Sequence, residues 1–260
     1  MFSFPQHAHL STVGFLLVIF LTGCLSSSLP PSEAVVSRLD TSLRLDGVLA
    51  ETAWQNTPSY PFAPGKPFAW GKPILERTGF YQEVAEETTI RFLRDDRFLY
   101  LGVEMRDSDL VGEGGADGER LYMLGDCLEI FLHPRNVPFY WEFYASINEK
   151  KTVFFFPGRG RLNLPSNSAY RCDGMIVKTA FSGTFNQPAD HDQGWSAEIA
   201  IPLATLAGHG VPFDNNANWS VLVVRYNYSA WLPLWETSCF PAISTDNPHL
   251  YEDYIPLDIR

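Results

Sequence analysis

A strict alternation near residue 200 constrains the fold more than any other feature of the sequence. Trp195, Ala197, Ile199 and Ile201 alternate with small or polar residues, which is the period of a β-strand with one buried face. Pro202 follows and has no amide hydrogen to donate to a sheet, so the predicted strand ends there. The chain therefore contains at least one long strand that packs against a core.

Runs rich in β-branched and aromatic residues recur along the chain, separated by turn residues, which is typical of antiparallel strands. Asp95 and Asp96 mark the turn of one predicted hairpin. Brief helical turns are expected at 53–54 and 202–206, and long loops at 56–87 and 111–120. We predict an all-β fold, a two-sheet antiparallel β-sandwich of the jelly-roll type. The expected strands are 88–94, 98–105, 127–132, 139–147, 152–156, 175–181, 195–201, 219–228 and 250–259.

The first residues have the pattern of a targeting segment. Residues 1–23 contain no Lys, Arg, Asp or Glu, and their apolar run, 13–21, is shorter than the roughly 20 residues that span a bilayer. The run ends in L-T-G-C, which resembles the lipobox of bacterial lipoproteins and implies lipid attachment at Cys24. Ordinary secretory cleavage is the alternative. We expect a signal peptide at 1–23, a tether at 24–42 and one domain at 43–260, in the bacterial cell envelope, anchored in the outer membrane or facing the periplasm.

Charge excludes one class of partner. The 260-residue chain carries a formal net charge of −11, whereas binding to nucleic acid requires clustered Lys and Arg. We therefore expect no nucleic-acid partner, and contact with the membrane only through the lipid anchor.

Cysteine arithmetic leaves two alternatives. If Cys24 carries lipid, Cys127, Cys172 and Cys239 remain, so at most one disulfide can form within the chain. Cys172 with Cys239 is the favoured pair because Cys127 lies in the middle of a predicted strand. Equally, all three can be small buried side chains.

The sequence contains no motif of a common catalytic site. The G-x-S-x-G, H-E-x-x-H and G-x-x-x-x-G-K patterns do not occur. Glu129 and Glu142 form the one carboxylate pair with a structural argument, because both lie in the middle of predicted strands. A glycosidase needs such a pair about 5–9.5 Å apart across a sugar cleft. The sequence favours a protein that is not an enzyme.

A polar and aromatic face is predicted on two neighbouring strands. Alternation places Glu129 on one face of its strand, and Tyr140, Glu142 and Tyr144 on one face of the next. Aromatic rings can cover the apolar face of a sugar while carboxylates accept bonds from its hydroxyls. The alternative is that these side chains simply fill the second face of the sandwich.

Four motifs in order give the chain a family resemblance. They are L-D-G-V-L-A-E-T-A-W at 45–54, R-F-L-R-D-D-R-F-L-Y-L-G-V-E-M-R-D at 91–107, G-D-C-L-E-I-F-L-H-P at 125–134 and G-W-S-A-E-I-A-I-P at 194–202. The sequence from about 43 to 260 resembles family 9 carbohydrate-binding modules and the wider DOMON-type group of β-sandwiches. The resemblance implies non-catalytic binding of an oligo- or polysaccharide, in support of polysaccharide breakdown by a partner glycoside hydrolase.

The resemblance also implies site residues. Glu129 matches the family glutamate, Tyr122 lies beside the position of the first clamp tryptophan, and Tyr144 stands where the family has arginine. Arg225 matches the arginine of a W-x-x-N-x-x-R pattern, and Trp235 lies upstream of the second clamp position. With Tyr140 and Glu142, these residues form the predicted carbohydrate site.

No cofactor is required by this interpretation, but the family implies a structural ion. Its modules hold calcium through loop aspartates and carbonyls, and Asp107, Asp109 and Asp126 are the candidates here. Turn capping is the alternative role of these acids. Three other functions stay open: a glycan-processing hydrolase, a DOMON-type haem-binding module that uses Met and His, and a structural docking module.

Overall fold

The alternating segments of the sequence form strands in the structure, a computed structural model that describes residues 31–65, 84–159, 173–216, 218–232 and 235–260. Short helices are few, as expected. The elements are β1 Ala34–Arg38, α1 Thr52–Gln55, β2 Tyr60–Pro61, β3 Ala63–Pro64, β4 Thr88–Arg94, β5 Phe98–Arg106, a 3₁₀ turn Leu121–Met123, β6 Cys127–Pro134, β7 Tyr140–Ser146, β8 Lys151–Phe156, β9 Ile176–Ser182, β10 Gly194–Pro202, α2 Leu203–Ala207, β11 Trp219–Asn227, β12 Glu236–Phe240, a 3₁₀ turn Tyr251–Asp253 and β13 Ile255–Ile259.

The strands join in one mixed, nearly closed sheet. Its main path is β8-β7-β6-β11-β13-β1-β4-β5-β10-β9, with β12 beside β11 and β3, and β2 beside β4. Most neighbours are antiparallel, but β1 runs parallel to both β13 and β4. The all-β prediction is confirmed. The prediction of two separate antiparallel sheets is not, because β1 and β13 connect the two halves.

The N-terminal boundary of the domain differs from the expected one. Residues 34–38 were expected to lie in the tether, yet they form β1, whose Ala34 and Val36 are fully buried. Val36 pairs with Ile259 on one side and with Phe92 on the other. The tether prediction, 24–42, therefore extends too far, since five of its residues complete the sheet.

The two faces of each strand separate as the alternation predicted. Trp195, Ile199 and Phe143 lie in the main hydrophobic core, between the two halves of the sheet. Phe131 and Tyr140 lie in a second cluster on the opposite face of β6, β7 and β11. This second face carries most of the predicted site.

A buried carboxylate joins the first and last motifs of the sequence. Glu198 of β10 accepts hydrogen bonds from the Asp46 and Gly47 amides at 2.8 and 2.9 Å and from Trp54 Nε1 at 2.9 Å. Gly47 has φ +88°, and a Cβ there would lie 2.2 Å from the Thr179 carbonyl carbon. The segment before α1 is therefore fixed onto the outer side of β9 and β10.

Two N-terminal predictions lie outside the described residues, and one cysteine prediction lies partly outside them. Cys24, its lipid and the signal peptide fall in 1–30, and Cys172 falls in 160–172. Cys127 and Cys239 are both buried, and the pairing of Cys172 with Cys239 stays a prediction. Within the described ranges, no helix combines the length and the hydropathy needed to cross a membrane.

Candidate functional site

Four of the predicted site residues share one face of neighbouring strands. Glu129 of β6 lies directly opposite Tyr144 of β7, and Glu142 lies opposite Phe131. Tyr140 follows on the same face, since its neighbour Trp141 belongs to the main core. The sequence therefore placed these side chains on the correct face.

Their burial was not expected. Tyr140 is fully buried, and Glu129, Glu142 and Tyr144 are each only 3% exposed. An open groove lined by these four side chains is not what the structure has. They form instead a polar layer beneath a more accessible rim.

The two carboxyls of this layer contact each other. The side chains of Glu129 and Glu142 lie within hydrogen-bonding reach of each other. Burial, together with the charge of Glu129, raises the pKa of Glu142 well above its ordinary value. Burial also raises the pKa of Glu129. Both pKa shifts favour the protonated acid, and two adjacent ionised carboxylates would repel each other.

Two tyrosines complete the hydrogen bonds of the acid pair. The Tyr226 hydroxyl donates to Glu129 Oε2 at 2.7 Å, and the Tyr144 hydroxyl donates to Glu142 Oε1. A hydrolase would need these acids separated by a sugar. Because they touch, this pair does not have the geometry of a glycosidase.

The rim is an ordered stack of aromatic rings. Trp235 lies nearly parallel to Tyr226 and Tyr228, with centroids 6.0 and 5.9 Å away and interplanar angles of 13° and 12°. The ring of Tyr122 packs against Tyr226 and Tyr144, with centroid distances of 5.1 and 5.9 Å. Trp235 keeps 41% of its surface exposed, whereas Tyr226 is 1% exposed. Of the predicted carbohydrate residues, Tyr122 and Trp235 are therefore the accessible ones.

Tyr226 and Tyr228 were not predicted as site residues, although the sequence carries a signal for both. Both follow Leu222 and Val224 at alternate positions of the strand, so they point to the same face, which also carries Glu129. The Tyr228 hydroxyl also donates to the Tyr122 carbonyl at 2.7 Å, which fixes the rim. Extending the alternation through β11 would have placed both tyrosines beside the acid pair.

Arg225 does not belong to this site. Arg225 lies two residues after Val223 and points to the same face of the strand. Its side chain therefore enters the interior between the halves of the sheet, where it is fully buried. Its guanidinium donates to Asp107 Oδ2 at 2.9 Å and to Thr88 Oγ1 at 3.0 Å. The predicted sugar contact of Arg225 is therefore wrong, because a sequence motif fixes a position but not the face it occupies.

The three proposed calcium ligands are engaged in other ways. Asp107 binds Arg225, Asp126 accepts the Val111 and Tyr228 amides at 2.8 and 2.9 Å, and Asp109 Oδ2 accepts the Ala230 amide at 2.7 Å. Asp109 Oδ1 is left without a hydrogen-bond partner, but calcium requires six to eight oxygen ligands. Within the part of the chain that is described, no group of three or more His, Cys, Asp or Glu side chains could hold a metal ion. These acids fit a role as turn caps and not the implied calcium site.

The residues that a haem would need are also placed elsewhere. Met105 and Met175 pack in the main core. His133 Nε2 lies 2.8 Å from the Val137 carbonyl, and His249 Nδ1 lies 2.8 Å from the Tyr140 hydroxyl. Met123 is exposed at the surface, so the contacts of these side chains are those of ordinary core, turn and surface residues.

Comparison with known proteins identifies the fold. No protein-family model matches the sequence, and no curated protein matches it. Solved structures do match: a Bacteroides uniformis protein, named provisionally as carbohydrate-binding, has a TM-score of 0.63 at 14% identity over 87% of this chain and 98% of its own. A family 9 carbohydrate-binding module from Caldicellulosiruptor kristjanssonii matches with TM-scores of 0.55 in complex with cellotriose and 0.54 in complex with glucose. Both complexes are 14% identical to this chain and cover 87% of it, and 93% and 94% of the module. The chain has a fold like that of family 9 carbohydrate-binding modules.

Proposed function

We propose that this protein binds carbohydrate without catalysing a reaction, at the aromatic rim of Trp235 and Tyr122. One observation carries the proposal: an exposed tryptophan lies on an ordered layer of tyrosines, in a fold shared with modules solved with glucose and cellotriose. The rim offers a flat ring for the apolar face of a sugar. Hydroxyls and carboxyls lie directly beneath it.

The chemistry of the rim predicts weak binding. A stacked aromatic ring contributes about 0.5–1.5 kcal/mol beyond burial, and a hydrogen bond to a charged group about 1.5–3 kcal/mol. After the cost of association, such a site reaches dissociation constants of the order of millimolar to tens of micromolar. Because Glu129 and Glu142 are buried, few charged bonds are accessible, which favours the weaker end of this range.

Affinity electrophoresis of the full chain tests the proposal. Gels that contain soluble β-glucans, xylans or mannans should retard the wild type, and glucose and cellotriose should be titrated in parallel by calorimetry. Trp235→Ala should reduce retardation. Phe181→Ala is the matched control, since Phe181 is also half exposed but lies on β9 and packs against Phe185. Equal migration of wild type and Trp235→Ala in every gel would contradict the proposal.

We further propose that the protein acts at the bacterial cell surface or in the periplasm, attached through lipid on Cys24. There it would hold a polysaccharide near a partner glycoside hydrolase. The L-T-G-C sequence supports the anchor. Labelling with radioactive palmitate should mark the wild type and not Cys24→Ser, and label retained by the variant would exclude this attachment.

A further inference from the structure

A second exposed tryptophan lies near the rim. Trp231 keeps 45% of its surface exposed, and it lies in the connection between β11 and β12 that also carries Trp235. Its ring stacks on His191, with centroids 3.9 Å apart and an interplanar angle of 23°. Its Nε1 donates to the Asp190 carbonyl at 3.0 Å.

The backbone around Trp231 is also fixed. The Ala230 amide donates to the buried Asp109 at 2.7 Å, the Ser229 hydroxyl lies 3.0 Å from that of Ser108, and the Trp231 amide donates to Ser229 Oγ at 3.2 Å. These contacts position an aromatic side chain before any ligand arrives. Rigid aromatic residues provide contact area at a low cost in conformational entropy, so this arrangement suits recognition.

The short chain between the two tryptophans limits their separation. They are four residues apart, so their Cα atoms cannot be separated by more than about 13–14 Å even with a fully extended chain. Trp235 packs over β11, whereas Trp231 packs on the β9–β10 connection. A single sugar ring would contact one of the two platforms, while a short chain of sugars would contact both.

We propose that Trp231, positioned by His191, is a second sugar platform, so that the site recognises a neutral oligosaccharide and not a terminal sugar alone. This inference rests on the carbohydrate-binding function proposed above. The net charge of −11 supports the choice of a neutral ligand, because an acidic polysaccharide would be repelled. His191 acts as a positioning residue that holds the indole ring.

Chain length is the variable that tests the inference. Calorimetric titrations of the full chain should use glucose, cellotriose and cellohexaose. If another polysaccharide retards the protein, its monosaccharide, trisaccharide and hexasaccharide should be titrated as well. Wild-type affinity should rise with length. In Trp231→Ala, oligosaccharide affinity should fall roughly 2- to 10-fold, the effect of one stacked ring, while affinity for the monosaccharide stays unchanged. Trp231→Tyr should restore most of the loss.

A second measurement does not depend on that variant folding normally. The indole Nε1–H resonance of Trp231, assigned with Trp231→Phe, should move on addition of oligosaccharide and stay in place with glucose. His191→Ala should reduce the length dependence without changing monosaccharide affinity. The inference is overturned if the wild type binds sugars but Trp231→Ala keeps the same length dependence and the resonance does not move. If the wild type binds no sugar at all, the proposed function itself fails, and the inference fails with it.

Discussion

The buried acid pair ties the stability of the protein to pH. Both Glu129 and Glu142 have a pKa above the ordinary value of 4.5 because of burial. A group whose pKa is raised by folding stabilises the folded state below its unfolded pKa, and this contribution disappears as the pH rises through the folded pKa. The folded state should therefore lose stability as the pH rises from about 4.5, since ionisation of the second carboxyl would bury two adjacent charges.

Glu142→Gln should remove most of this pH dependence. The amide can donate to Glu129 and accept from Tyr144, as a protonated carboxyl would. In urea unfolding between pH 4 and 9, the variant should gain stability relative to wild type as the pH increases. Glu113→Gln, on the exposed surface, is the control. A stability difference between Glu142→Gln and wild type that does not change with pH would contradict a raised pKa at Glu142.

Arg225 should be essential to stability and irrelevant to sugar affinity. Its side chain is fully buried and pairs with Asp107. Removing one partner of a buried ion pair costs roughly 3–5 kcal/mol, because the other charge remains buried and uncompensated. Arg225→Met should therefore lower the free energy of unfolding by this order, while calorimetry on the fraction that stays folded gives wild-type affinity. A variant with reduced sugar affinity and a wild-type free energy of unfolding would show instead that Arg225 contributes to the binding site.

At the level of single residues, the sequence predicted faces well and exposure poorly. Alternation correctly grouped Glu129 with Tyr140, Glu142 and Tyr144, because strand geometry has a period of two regardless of context. It could not predict that this face is covered, since covering depends on distant segments such as the 3₁₀ turns at Leu121–Met123 and Tyr251–Asp253. Exposure is a tertiary property that no local pattern contains.

At the level of elements, the segment before α1 is fixed by geometry that only glycine satisfies. Gly47 combines a positive φ with a contact to the backbone of β9. Gly47→Ala should therefore destabilise the protein far more than Gly114→Ala, where φ is +98° but no atom lies within 4 Å of the added Cβ. The control isolates the cost of the left-handed backbone, about 1–2 kcal/mol. Thermal unfolding measures both variants, and equal losses would show that β9 can move aside.

β1 should be indispensable, contrary to the expected tether. It pairs with β13 and β4 at the same time, so its removal would expose two strand edges and part of the core. A chain that begins at residue 43 should fail to give a cooperative unfolding transition, whereas one that begins at residue 32 should retain it. Circular dichroism in urea makes the comparison. β1 escaped prediction because five residues beside a Ser- and Pro-rich segment carry little periodic signal.

At the scale of the whole molecule, the sequence defined the class of fold but not its closure. The β4–β5 hairpin and the long strands of both halves were predicted from turn residues and alternation. The parallel pairing of β1 was not predicted, because parallel neighbours are distant in sequence and are not joined by a tight turn that the sequence would reveal. Two separate sheets were therefore expected, whereas β1 joins the two halves into one sheet.

The overall charge should restrict the ligands. With a net charge of −11, the protein should repel polyanions at low ionic strength. A neutral cellulose derivative such as hydroxyethyl cellulose should retard the chain in affinity electrophoresis more than carboxymethyl cellulose does, and added salt should narrow the difference. Preference for the acidic polymer at low salt would contradict a neutral ligand.

The parallel placement of β1 also has a mechanical consequence. If the segment before Ala34 is attached to a surface while the domain holds a large, insoluble polymer, tension enters the domain along β1. Because β1 runs parallel to β13 and β4, a pull on its N-terminal end loads both ladders in shear, and their hydrogen bonds must rupture together instead of opening in succession. Forced unfolding is governed by the height of that barrier. Under such tension, the strand that joins the two halves of the sheet would also be the element that resists forced unfolding.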